Sequence, residues 1–231
     1  MWQLLAGALV AWLLIADEAV AQSSQGTAGE RCIGSDAESK DPNARERICL
    51  KELGDRAQRS GNALTLGLEG GKTKVFRSDP DACAKDDAAH CANYYLVGFL
   101  ASARRYLVYA TYYEGFECKM VSASTGKATT FRNIPRFAPN GSTFFVTGHD
   151  GGYDNWLGIG SVMSDPPALT WEMGPIVHEN WEFVRWIDND RVALRDSGSS
   201  EKCPDGNCEA ILRREAKAWR LERLPPQSRS K

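Results

Sequence analysis

The side chains best able to do chemistry in this chain are carboxylates and aromatic rings gathered in three Gly-rich acidic stretches. These are Tyr113-Glu114-Gly115, then Gly148 through Asn155 with Asp150, Tyr153 and Asp154 inside it, then Asp196 through Cys208. Two of Glu114, Asp150, Asp154 and Glu182 could form the acid and base pair that glycoside hydrolysis requires. Asp150, Asp154 and Asn155 could offer oxygen ligands to Ca²⁺, but their spacing departs from the alternating D-x-D-x-D-G loop that ends on a bidentate Glu. Gly and Asp also serve turn geometry, so no cofactor is expected. Tyr113, Tyr153 and Trp156 flank the acidic stretches, and outward-facing aromatics stack on sugar rings or anchor protein partners. The expected ligand-binding set is therefore Tyr113, Glu114, Asp150, Tyr153, Asp154, Asn155 and Trp156, with no catalytic and no metal-ligating residues.

Other chemistries find less support. His90, His149 and His178 lie in no nucleophile or metal motif, and G-x-S-x-G, H-E-x-x-H and the phosphate-binding G-x-x-x-x-G-K-[ST] are all absent from the sequence. Gly67, Gly70 and Gly71 fall in a hairpin pattern, not between a strand and a helix, which argues against a nucleotide site. The seven cysteines contain no C-x-x-C pair, and His90 is the only His near one, so a zinc site is disfavoured. Loop economy suggests disulfides Cys32–Cys49, Cys83–Cys91 and Cys203–Cys208. Cys118 is left over in an apolar-rich stretch, where a cysteine acts as a small buried hydrophobe.

Composition bounds the setting in which such residues work. At 231 residues, with 42% hydrophobic and 25% charged side chains, the chain is a folded one- or two-domain protein. Its 28 basic and 30 acidic residues give nothing strongly basic to grip nucleic acid. Leu4 to Ala16 carries no charge, and Ala19-Val20-Ala21 follows with small residues at the positions a signal peptidase reads. A signal peptide over residues 1–21 is expected, with no membrane insertion after its removal and a periplasmic or secreted location. The cysteine content agrees with an oxidising compartment.

The elements that must position the acidic stretches can also be read. Residues 22–40 form a polar lead-in. Asp41-Pro42 opens a helical pattern that runs to Ser60-Gly61-Asn62, with Ile48, Cys49, Leu53 and Ala57 on one face. From residue 63 to 224 the pattern is strand after strand. A hairpin spans Leu64–Phe76, and later strands include Tyr94–Phe99, Tyr106–Tyr112, Glu117–Ala123, Trp156–Val162 and Glu182–Ile187. No second helix of useful length interrupts them, so the fold is mainly β and antiparallel, with one N-terminal helix and a polar tail over 225–231.

The strands repeat. Phe99 through Val108, Phe137 through Val146 and Trp186 through Leu194 each carry an aromatic anchor, a turn and a β-rich run. Each unit closes on a strand with an aromatic residue: Phe131, Trp171 and Trp219. The turn Phe137-Ala138-Pro139-Asn140-Gly141 resembles the F-S-P-D-G turn of the WD40-like repeats in bacterial periplasmic propellers, including the TolB type. The other two units carry Ser102-Ala103-Arg104 and Asp188-Asn189-Asp190 there instead. The resemblance covers residues 93–224 and implies propeller-like or stacked sheets in an extracytoplasmic interaction scaffold, with no catalytic residues attached.

Two functions fit. One is an exported, non-catalytic binding protein whose loop face engages an envelope protein or a glycan. The other is an exported hydrolase acting on an envelope saccharide through a carboxylate pair in that face.

Overall fold

Asp41 accepts the Asn43 amide at 2.9 Å and Pro42 takes the first helical position, so helix α1 (Pro42–Leu53) begins where the sequence places it. It ends earlier than the apolar spacing suggests. Gly54 adopts φ 56°, a left-handed conformation that stops the helix, and a single 3₁₀ turn (Gly54–Arg56) leads into a strand. The buried face of α1 also differs from the expected one: Arg45, Glu46, Cys49 and Leu53 point inward while Ile48 is 55% exposed. The computed structural model describes residues 41–149, 154–177, 179–198, 203, 208–216 and 218–225. The expected signal peptide and lead-in lie outside them.

Four antiparallel sheets follow in chain order. Sheet I holds β1 (Ala57–Ser60), β2 (Ala63–Gly67) and β3 (Thr73–Arg77), one strand more than the expected hairpin. A short helix α2 (Pro80–Ala84) then precedes sheet II, which is β4 (Ala92–Leu100), β5 (Arg105–Tyr112), β6 (Gly115–Ser122) and β7 (Ala128–Phe131). Sheet III is β8 (Arg136–Phe137), β9 (Thr143–His149), β10 (Asp154–Ser161) and β11 (Ala168–Val177). Sheet IV is β12 (Trp181–Asp188), β13 (Arg191–Asp196), β14 (Cys208–Glu215) and β15 (Ala218–Arg223). Each is a meander with neighbours in sequence paired, and none closes on itself. The mainly β class is thus observed, with a four-strand repeat.

Period-two alternation explains how the sheets pack. In β4, Leu96 faces sheet I and Val97 sheet III, and the bulge between Leu96 and Gly98 shifts the alternation so that Phe99 faces sheet I and Leu100 sheet III. In β9, adjacent Phe144 and Phe145 enter different cores, the first shared with sheet II and the second with sheet IV. Three apolar clusters therefore join I to II, II to III and III to IV. The closing aromatics Phe131 and Trp219 are buried in them, and Trp171 packs at the margin.

The edge strand β8 is only two residues long and was not legible as a strand. Pro135 and Pro139 bracket it, and proline cannot donate to a ladder. The turn after it is built by its own side chains. Asn140 Oδ1 accepts the amides of Ser142 (2.9 Å) and Thr143 (3.2 Å), and Gly141 sits at φ 66°.

Helix α1 covers the free edge of β4. Tyr94 and Leu96, alternate residues of this edge strand, turn backbone groups away from β5, and Glu46 Oε1 accepts the Leu96 amide at 2.8 Å. Cys49 is fully buried in the same core and disulfide-bonded; its expected partner, Cys32, lies outside the described residues. The other two expected disulfides, Cys83–Cys91 and Cys203–Cys208, are present.

Candidate functional site

The hydrogen bonds between sheets show which connections share an end. Glu69 donates its amide to Ala123 O, Arg105 donates to Ser164 O, Thr129 to Pro167 O, and the Asn140 amide to Asn189 Oδ1. Within sheets II, III and IV these groups lie in or beside the turns joining first to second or third to fourth strands, and Glu69 lies in the β2–β3 turn of the three-stranded sheet I. In sheets II, III and IV the facing ends of the second and third strands consequently collect at the opposite end, together with the segments that pass from one sheet to the next. That loop end receives Tyr113–Gly115, Gly148 and Asn155 from the second acidic stretch, and Asp196 from the start of the third.

At the loop end, a groove of about 480 Å³ is lined by Ala88, Tyr112, Tyr113, Glu114, Gly115, Phe116 and Glu117. One wall is the β5–β6 hairpin, whose tight turn follows the Tyr112–Gly115 pairing. The other is the 83–91 segment, pinned at its neck by the Cys83–Cys91 bridge and at its start by Asp79, which accepts the Ala82 amide at 2.9 Å. Tyr113 and Phe116 stand 47% and 45% exposed, and Phe116 also meets the Tyr109 ring at 5.8 Å between centroids. Glu117 is engaged from two sides, by the Tyr112 hydroxyl and the Lys119 ammonium. Burial first, and then the hydrogen bond to Glu117, push the Tyr112 phenol above its usual pKa. On the facing segment, the hydrogen bond from His90 Nδ1 at 2.8 Å holds the Asp87 carboxyl below the usual carboxylate range.

Asn155 is placed elsewhere and differently. It is 3% exposed, its Oδ1 accepts from the Thr147 hydroxyl (3.3 Å), and its amide donates to Asn180 Oδ1 at 3.1 Å. Asn180 in turn donates its backbone amide to Asp196 Oδ1 (2.7 Å), which also accepts the Gly198 amide at 2.9 Å. Asp196 is itself buried, and a Cβ on Gly198 would approach its carboxylate at 3.0 Å. This network ties sheet III to sheet IV. Trp156 is half-buried: its ring lies where side chains on Gly158 and Gly174 would stand, and the Arg132 guanidinium sits 5.7 Å from the ring centroid.

The structure thus brings Tyr113 and Glu114 together at one groove and puts Asn155 and Trp156 into the packing of sheet III. Asp150 and Tyr153 lie outside the described residues, and Asp154 is described only as the first residue of β10. Of the carboxylates weighed for hydrolysis, Glu114 is on the sheet II hairpin and Glu182 is on β12, with sheet III between them. Sheets pack about 10 Å apart, so this pair is separated by roughly 20 Å. Glu182 accepts from the Ser197 hydroxyl at 2.6 Å. No group of three or more His, Cys, Asp or Glu is placed to hold a metal ion among the described residues.

Sequence reasoning missed Phe116 as a surface ring, and missed that the Cys83–Cys91 segment faces the Tyr113 hairpin. Phe116 sits two residues before Cys118 on alternating β6 positions, which made it look like core. Cys118 is buried and free, and burial pushes its thiol up to about 12.

A second groove, of about 660 Å³, opens at the opposite end between sheets I and II. Its floor is Phe99 and Tyr106, and its rim carries Asp55, Arg56, Glu69 and Arg104. The Tyr106 hydroxyl donates inward, to Gly67 O at 2.6 Å, and an Arg104–Glu69 ion pair spans the rim.

Compared with known protein families, with characterised proteins and with solved structures, the chain matches none. The likeness of the Phe137–Gly141 turn to propeller repeats therefore rests on that turn and on the four-strand meanders alone.

Proposed function

We propose that this chain is an exported, non-catalytic binding protein whose loop end engages a partner at the groove beside Tyr113. The observation that carries the reading is the pair of bare aromatic rings, Tyr113 and Phe116, on a hairpin with a covalently pinned neighbour. Exposed rings on a rigid support bury a large area on binding at little entropic cost. The three stacked four-strand meanders, preceded by a three-stranded one, serve as blades of an open propeller-like scaffold. Disulfides suit an oxidising compartment, and no helix among the described residues is long and apolar enough to cross a membrane. Glu114 and Glu182, with sheet III between them, are too far apart to act as one hydrolytic pair.

The test is affinity capture from an envelope extract with the wild-type chain beside a Tyr113→Ala, Phe116→Ala double variant. Both residues are about half exposed and neither belongs to an apolar core, so the variant is expected to keep its fold, checked by circular dichroism. A partner held by the wild type and lost by the variant supports the reading. Equal capture by both, or none by either, defeats it and makes glycan-hydrolysis assays the next step.

A further inference from the structure

Resting on that reading, we infer that the groove beside Tyr113 receives a cationic side chain, Arg or Lys, presented by a segment of a partner polypeptide. The rings supply one half of the recognition. The faces of Tyr113 and Phe116 carry the negative side of an aromatic quadrupole, which attracts a guanidinium or ammonium group. The walls supply the other half. The charged side chains that line the groove are Glu114 and Glu117, and no Lys or Arg lines it.

One of these is already engaged: Glu117 takes both Lys119 and Tyr112. Glu117 and Lys119 thus offset each other, and the charge left at the groove is that of Glu114. Glu114, which lines the groove, has no side-chain partner among the described residues. A free carboxylate beside two bare rings calls for a donor that is also positively charged, since such a group satisfies both at once. A neutral sugar ring would stack on the aromatics but gain nothing from the net negative charge. The groove volume accepts one long side chain with its flanking backbone. A polypeptide is the source that offers Arg and Lys on a flexible stem able to enter from the loop end.

The test uses the full chain with its disulfides intact and two fluorescent decapeptides. One carries Arg at alternate positions, and the other has each Arg replaced by citrulline, its neutral isostere. Binding is read by polarisation. The Arg peptide is expected to bind at least about tenfold tighter, with the advantage shrinking severalfold as salt rises. Glu114→Gln is expected to weaken it about threefold and the Tyr113→Ala, Phe116→Ala variant to abolish the preference. Equal affinity for the two peptides, no binding of either, or a preference that survives the double variant overturns the inference. The capture experiment separates the two ideas. If the double variant loses its partner but the wild type shows no Arg preference, the groove remains the binding site and only its cationic ligand class is wrong. If capture is unaffected by the variant, both fall.

Discussion

Arg59 of β1 and Glu46 of α1 form a largely buried, two-pronged ion pair, with Nη2 2.5 Å from Oε1 and Nε 3.0 Å from Oε2. Each partner has a further duty. Glu46 accepts the Leu96 amide, and Arg59 donates to Tyr94 O at 2.5 Å. One carboxylate thereby joins a helix, the first sheet and the edge of the second. Removing one member of such a pair leaves the other charge buried and unmatched. Glu46→Ala is expected to cost about 3 kcal/mol or more in urea unfolding, and Glu46→Gln somewhat less. A loss under about 1 kcal/mol would show that water replaces the carboxylate at no penalty.

Gly160 and Phe144 form a pair that tolerates change only together. A Cβ on Gly160 would lie 2.1 Å from Phe144 Cζ, and Phe144 is fully buried. Gly160→Ala is expected to destabilise by about 1–3 kcal/mol through overpacking. Phe144→Leu costs a similar amount alone by leaving a cavity. In the double variant the added methyl enters the space the ring vacated, so the combined loss falls short of the sum by about 1 kcal/mol. Strict additivity in a double-mutant cycle would refute the steric account.

Cys118 makes stability depend on alkaline pH. Its thiol stands at about 12 in the fold against an ordinary 9.0, so the native state keeps a proton that the unfolded chain releases. Above pH 9 the unfolded state therefore binds fewer protons, and stability falls by about 1.4 kcal/mol per pH unit until the native thiol ionises. Raised phenol pKa values at Tyr95, Tyr106, Tyr109 and Tyr112 act in the same direction above pH 10. The Cys118 share is isolated by comparing wild type with Cys118→Ala between pH 8 and about pH 10, where the variant should show the shallower slope. Parallel slopes would mean the thiol is not held protonated.

Asn155 has its oxygen and amide committed to Thr147 and Asn180, which leaves a cation little to gain there. Asn155→Ala is expected to lower stability by about 1–3 kcal/mol by orphaning buried partners. Adding Ca²⁺ to about 1 mM, against a chelator, is expected to move the wild-type Tm by less than about 1 °C. A larger rise that disappears in Asn155→Ala would make this residue a ligand.

The outcome for these residues shows where sequence reading succeeds. The strands were legible because apolar alternation, turn residues and the closing aromatics Phe131, Trp171 and Trp219 are local signals. The cysteine pairs at 83–91 and 203–208 were legible for the same reason, since a short loop leaves few choices. β1 was missed because Ala57-Gln-Arg-Ser60 has no β signature; its pairing with β2 makes it a strand. The inward turn of Glu46 was hidden too, because the amide that needs it belongs to an edge strand fifty residues away. Among the candidate site residues, Tyr113 and Glu114 sit on a hairpin tip whose exposure follows from its tight turn. Asn155 and Trp156 also adjoin a Gly-rich acidic stretch in sequence, yet Thr147, Asn180, Gly158 and Gly174 meet them in space. Only tertiary packing separates those two cases.

Phe144 and Phe145, side by side on β9, look into separate cores, and Leu96 with Val97 does the same on β4. Cooperativity in this molecule must therefore pass through individual strands, each reporting the state of one junction to the next. A chain built this way behaves as a short one-dimensional array with three couplings. Weakening the middle coupling would split a single thermal transition into two, each half melting at its own temperature. Drawn out from its ends, the protein would yield sheet by sheet, with a force plateau for each junction.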